Sequence, residues 1–190
     1  MTTMRTFKLT LLLFFTCFCF FSCASKPKSE EIQTKEEVEE TTENVILDEE
    51  EYLRSTHDLS SEDLVSIKEF SDDKAEILKI IDELKVIMEE EDFESWLNYI
   101  APDSITYYSN PVNIRKAQRK LPDKTIVLNG IKDYFKYVFI PSRKRSQVDE
   151  IRYISKKNIK AVDVRDDSSI IVYYQFVKID GKWLVHIPSL

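Results

Sequence analysis

Residues 7–23, FKLTLLLFFTCFCFFSC, form an apolar run that holds all three cysteines of the 190-residue chain. No disulfide can form among the 167 residues that follow, so any fold they adopt stands on its hydrophobic core alone. Arg5 and Lys8 give the run a cationic start, Leu9 to Phe21 supply 13 residues without a charge, and Ser22-Cys23-Ala24-Ser25 close it with small residues. A helix that crosses a bilayer needs about 20 apolar residues, so the run is short for a permanent anchor. With no polar face, it is also a poor surface helix for a globular domain.

This layout resembles a bacterial lipoprotein signal peptide, with Phe20-Phe21-Ser22-Cys23 in the position of the lipobox and Phe20 standing where Leu is usual. The resemblance implies that residues 1–22 are removed and that the Cys23 thiol carries a diacylglycerol, which makes the lipid bilayer the first partner. One acyl chain binds a membrane only marginally, whereas two hold firmly, each buried methylene contributing about 0.8 kcal/mol. Ala24, where an Asp would retain such a protein at the inner membrane, implies sorting to the outer membrane.

The net charge of -7 is unevenly spread. Lys26 to Asp73 holds five basic and seventeen acidic residues, and Lys74 to Leu190 holds twenty basic and seventeen acidic. Apolar residues are sparse from Glu30 to Glu51, so burial cannot offset the entropy of ordering that stretch. Residues 23–72 are therefore expected to be an acidic disordered tether, in which Ser60 to Phe70 form at most a short helix docked on the domain edge. His57 has no partner there for a metal site. The basic stretch Asn110 to Lys124 has no interleaved aromatics, which argues against nucleic acid as a partner.

The remaining residues, 73–190, carry enough apolar side chains for one core; 43% of the chain is hydrophobic and 12% aromatic. Asp73 followed by Glu76 reads as a capping box. Ile77, Ile80, Ile81, Leu84, Ile87 and Met88 then recur at helical spacing. Asp92 caps a second helix with Phe93, Trp96, Leu97 and Ile100 inward and Pro102 as its stop. SITYYS, Ser104 to Ser109, reads as a first strand. Asn129 caps a third helix with Ile131, Tyr134, Phe135 and Val138, ended by Pro141. Four strands follow, Gln147–Ser155, Ile159–Arg165, Ser168–Ile179 and Lys182–Ile187, the last two joined by the hairpin signal Asp180-Gly181. That turn pairs Ile179 with Lys182, Val177 with Leu184, Phe176 with Val185 and Gln175 with His186. Val172, Tyr174, Phe176, Trp183, Val185 and Ile187 then share the face that the helices cover. Ile171, Tyr173, Gln175, Val177, Leu184 and His186 share the other.

The order is α+β. Ala101-Pro102-Asp103-Ser104-Ile105 after a helix with Trp96, Gly130-Ile131 opening a helix with Tyr134-Phe135, and Asp180-Gly181-Lys182-Trp183 in the last hairpin resemble the nuclear transport factor 2-like superfamily. This group includes SnoaL-like polyketide cyclases and ketosteroid isomerases. The resemblance covers residues 74–187 and implies a cone-shaped fold whose curved antiparallel sheet wraps a helix around a pocket, with dimerisation through the outer sheet face. Trp96, Tyr107, Tyr173, Gln175 and His186 are the expected ligand-binding residues, the ligand being a small apolar molecule or a protein partner at the cell envelope. The enzymes of the group suggest the alternative, an isomerase, dehydratase or cyclase using Asp163 or His186 as base with a tyrosine holding the oxyanion. Asp163 beside Arg165 is more simply a surface ion pair, and His186 a histidine bonded to Gln175. No metal-ligand spacing, phosphate loop or nucleophile elbow is present, so neither a cofactor nor catalysis is expected.

Overall fold

The computed structural model describes residues 49–190 except Arg145; the leader, Cys23 and the acidic stretch up to residue 48 lie outside the described residues. Helices come first, then a four-stranded antiparallel sheet in the order β1-β2-β3-β4. Helix α1 spans residues 49–56, and α2 spans Ile67–Glu89. Its N-cap is Ser66, whose hydroxyl accepts from the Glu69 amide at 3.2 Å. Two capping boxes, Ser66–Glu69 and Asp73–Glu76, thus lie one after the other, and the earlier one opens the helix. Asp73 is no cap. It belongs to the buried stripe Phe70, Asp73, Ile77, Ile80, Ile81, Leu84, Ile87 and Met88.

The folded part therefore reaches back to residue 49, well inside the stretch 23–72 expected to be disordered. Its added segment covers the free edge of β1, Glu150–Ser155. The Ile151 amide donates to Glu51 at 3.4 Å, and the Lys156 amide to Asp63 at 3.2 Å. Arg54 pairs with Glu150 at 2.7 Å and Lys74 with Glu51 at 2.5 Å. An uncovered edge strand invites pairing with other chains, which explains why so polar a segment is nonetheless held in place. Tyr52 adds an edge-on contact with Phe70 and a hydrogen bond to the Val65 carbonyl.

Glu91, at φ 53°, breaks the chain after α2, and Asp92 caps α3, Phe93–Leu97, by accepting from Ser95. SITYYS is a helix, not a strand: Pro102 starts α4, Pro102–Ser109, instead of stopping α3. Proline at the first helical position loses no hydrogen bond, and local β propensity yields to that start and to packing. Ser104 and Tyr108, one turn apart, face inward and hold the chain end. Ser104 Oγ accepts from the Ile187 amide at 2.9 Å, and the Tyr108 hydroxyl donates to the Pro188 carbonyl at 2.7 Å. The basic stretch contains α5, Pro111–Lys120, capped by Asn110.

The third predicted helix runs past its expected stop. It consists of α6, Ile131–Tyr134, a π-helical turn Phe135–Phe139, and α7, Ile140–Arg143. The wide turn resets the hydrogen-bond ladder, so Pro141 enters at the start of α7, where its missing N–H costs little. Gly130 is the N-cap residue, while Asn129 is tied by its amide and side chain to Asp133.

β2 is Asn158–Val164, β3 Ile170–Ile179 and β4 Lys182–His186. The β3–β4 register agrees with the expected pairs, through a turn in which Asp180 (φ 50°) and Gly181 (φ 80°) both take left-handed values. Tyr174, Phe176, Trp183, Val185 and Ile187 are buried as predicted, but Val172 is 38% exposed. Ala161 pairs with Tyr174 and Val162 with Val172, so Tyr173 is an extra residue that breaks the alternation there. Beyond β4, the Val185 amide donates to the Tyr99 carbonyl and the Ala101 amide to the Val185 carbonyl, covering the second sheet edge.

Candidate functional site

The five residues expected to bind ligand are spread over α3, α4 and the last two strands. Trp96 is fully buried among Phe135 at 4.8 Å and Phe139 at 5.1 Å, ring centre to ring centre. The Tyr107 hydroxyl on α4 accepts from the Leu190 amide at 3.1 Å. Tyr173, Gln175 and His186 are half-exposed, Gln175 and His186 as a cross-strand pair. His186 Nδ1 lies 3.4 Å from Asp103 and 3.5 Å from the Ser104 hydroxyl. Asp163 sits opposite Ile171 on β2. None of these lines any of three surface cavities of about 480, 610 and 400 Å³ among the described residues. In the same part of the chain, no group of three or more His, Cys, Asp or Glu is placed to hold a metal ion, and no helix is long and apolar enough to cross a membrane.

Two charges that sequence reasoning missed stand out instead, one buried and one half-buried. Asp73, 4% exposed, accepts from the Tyr153 hydroxyl at 2.8 Å, Trp183 Nε1 at 2.9 Å and Lys178 Nζ at 2.8 Å. It ties α2 to β1, β3 and β4. Burial, then the bond to Asp73, pushes the Tyr153 pKa far up. With three donors directed at it, this carboxylate is occupied by the fold. The available signal was the helical spacing Phe70–Asp73–Ile77, which places the acid on the core stripe.

The second charge is Arg143, at the end of α7. It borders a cavity of about 480 Å³ between the C-terminal end of α2 (Lys85, Met88, Glu89), Glu91, and the stretch Ile140, Arg143, Lys144 and Ser146. Its guanidinium lies 3.9 Å over the Phe139 ring and 5.2 Å from the Tyr174 ring. Burial lowers its pKa, though from so high a value that it stays charged. The nearby groups that favour the charge are the tyrosines Tyr174, Tyr134 and Tyr108, none of them ionised at neutral pH.

Two polar atoms of the lining, Arg143 Nε and Ser146 Oγ, have no hydrogen-bond partner among the described residues, and the Tyr174 hydroxyl, buried behind them next to Ser146, is a third. Tyr174 and Ser146 are near enough to influence each other, but their hydroxyls do not form a well-made bond. Burial pushes the Tyr174 pKa up, and Ser146, Arg143 and Lys85 offset part of that rise. A buried polar atom left unpaired costs about 1–3 kcal/mol, so these atoms weigh against folding unless a partner reaches them. Trp96 Nε1 and Ser55 Oγ are also unpaired, but neither residue borders a cavity described above. No local pattern marks Arg143 in the sequence, because Pro141 reads as the end of the helix that carries it.

No family model matches the chain, and no solved structure matches it. An uncharacterized lipoprotein of Treponema pallidum (strain Nichols) is 31% identical over 110 residues. The match covers 58% of this chain and 58% of that protein.

Proposed function

We propose that this chain is a lipid-anchored bacterial envelope protein whose folded part binds a small molecule, without catalysis, in the cavity bordered by Arg143. The anchor rests on the leader and its Cys23, and on likeness to a protein described as a lipoprotein. In this reading Cys23 carries palmitate-type acyl chains at the outer membrane, and the helices and four-stranded sheet form a cone of the nuclear transport factor 2-like kind. The expected strand at 104–109 is helical, so that likeness draws on the leading helices and the terminal meander.

The observation that carries the binding role is the pair of unpaired polar atoms, Arg143 Nε and Ser146 Oγ, in the wall of one cavity of ligand size, with the unpaired Tyr174 hydroxyl beside Ser146. The isomerase alternative needs a base at the reacting atom, and neither Asp163 nor His186 borders this cavity.

Two measurements test the proposal. Alkyne-palmitate labelling should mark the wild-type protein and not Cys23→Ser. Protein purified from its producing membranes should release a small molecule on denaturation, and Met88→Trp, which fills the cavity, should abolish that release. Equal extracts from wild type and Met88→Trp would refute the binding role, and equal labelling of Cys23→Ser would refute the anchor.

A further inference from the structure

Several cations that tie elements of the fold together face carboxylates. Lys74 faces Glu51, Lys178 faces Asp73, and Arg54 and Arg152 both face Glu150. Arg143 is different: it makes no ion pair among the described residues, and what surrounds it is aromatic. A guanidinium partly withdrawn from water without a counter-ion favours whatever supplies the negative charge.

The geometry of the unpaired groups defines that something. Arg143 Nη1 is engaged by the Ser142 hydroxyl at 2.9 Å. Nε makes no bond, and Nη2 makes none either among the described residues. Nε and Nη2 form the side-on fork of a guanidinium, two parallel donors spaced for the two oxygens of a carboxylate. The Tyr174 and Ser146 hydroxyls add two further donors, matching the roughly four lone-pair sites of a carboxylate.

Charge and wall composition narrow the class. Among the described residues the lining holds Lys85, Arg143 and Lys144 against Glu89 and Glu91, three cations less two anions, which gives +1. One negative charge neutralises this lining, whereas a second would face Glu89 and Glu91. Met88 and Ile140 supply apolar wall beside the polar end, so the ligand has an apolar body.

Resting on the ligand-binding reading above, we propose that this cavity binds a monocarboxylate with an apolar tail, its carboxylate seated on the side-on fork of Arg143 and bonded by Tyr174 and Ser146.

The test is calorimetric titration of the full-length chain in phosphatidylcholine nanodiscs, with empty nanodiscs as blank and three probes that share one tail: octanoate, octanol and octyl phosphate. Octanoate should bind at least about ten-fold tighter than octanol, and octyl phosphate no tighter than octanoate. Arg143→Met, which keeps the contact with Phe139, should weaken octanoate about ten-fold or more and leave octanol unchanged, and Arg143→Lys should restore only part of the loss. Should Arg143→Met fail to fold, Tyr174→Phe carries the test: it deletes an unpaired hydroxyl, so the melting temperature stays level or rises while octanoate affinity falls several-fold. Equal binding of octanol and octanoate, tighter binding of octyl phosphate, or unchanged octanoate affinity in Tyr174→Phe would overturn the carboxylate assignment and leave the cavity a binding site. Binding of none of the three probes would remove both.

Discussion

Replacing Asp73 by Ala removes one acceptor and strands three donors. Trp183 and Tyr153 are 2% and 4% exposed, so neither the indole N–H nor the phenol can turn to water without moving the sheet. Each such loss costs about 1–3 kcal/mol. The Lys178 side chain is 28% exposed and stacks over the Trp183 ring at 5.0 Å, so its ammonium can rehydrate and adds little. The expected loss is about 3–5 kcal/mol, the range found when one partner of a buried charged pair is deleted. Against a net stability of about 5–15 kcal/mol for a domain, this decides whether the fold is populated.

Asp73→Asn keeps one oxygen for Trp183 and should lose about 1–2 kcal/mol. In a Tyr153→Phe background one stranded donor is already absent, so Asp73→Ala should cost about 1–2 kcal/mol less than it does alone. Urea unfolding, followed by tryptophan fluorescence and circular dichroism, measures all four proteins. A loss below about 1 kcal/mol for Asp73→Ala, or full additivity with Tyr153→Phe, would show that the three bonds do not hold α2 to the sheet.

Other expected outcomes follow from the same contacts. Ser66→Ala should lower stability by about 1 kcal/mol in the same urea assay, through loss of the α2 cap, whereas the Asp73–Glu76 box would predict no effect at Ser66. The pKa values of Tyr108, Tyr134, Tyr153 and Tyr174 are all raised by burial. A raised folded pKa gives stability that is complete below the unfolded-state value of about 10 and is lost as pH climbs beyond it. Phenolate absorbance from these four should therefore appear only together with loss of circular dichroism at alkaline pH; early, non-cooperative ionisation would contradict their burial. A chain beginning at Asp73 strips Val65 and Phe70 from the core and Glu51 from the Ile151 amide. Size-exclusion chromatography should show it aggregating, and a monodisperse, cooperatively unfolding product would return residues 49–72 to the status of tether.

What could be read from the sequence depended on whether the signal was local. Asp180-Gly181 fixes hairpin register through backbone geometry, and the β3–β4 pairs came out residue for residue. Asp92 capped the expected helix for the same reason. The start of α2 was misplaced because two capping boxes compete and only packing chooses between them. Ser104–Ser109 was misread because β-forming residues follow a proline that opens a helix. The π-helical turn at Phe135–Phe139, which carries the chain past Pro141 to Arg143, leaves no mark in hydrophobic spacing. Both missed charges take their meaning from partners distant in sequence, Asp73 from Tyr153, Lys178 and Trp183, and Arg143 from Tyr174. Such partnerships are invisible to any window of neighbouring residues.

These two charges divide the work of the fold between them, and the division follows from counting partners. A buried carboxylate with three donors has its desolvation offset from within, so its contribution is rigidity: it clamps the helix to three of the four strands. The half-buried guanidinium of Arg143 has the opposite status, since no carboxylate faces it among the described residues and aromatic faces offset its desolvation only in part. The π-helical turn that places it is itself a departure from the cheapest helix, and departures of that kind persist where the surrounding structure enforces them and where they serve a site. Rigidity from Asp73 and incompleteness at Arg143 are complementary. The clamp anchors the N-terminal part of α2, whose far end forms one wall of the cavity, so under the proposed binding role the unpaired donors sit in a frame that needs no ordering before a ligand enters.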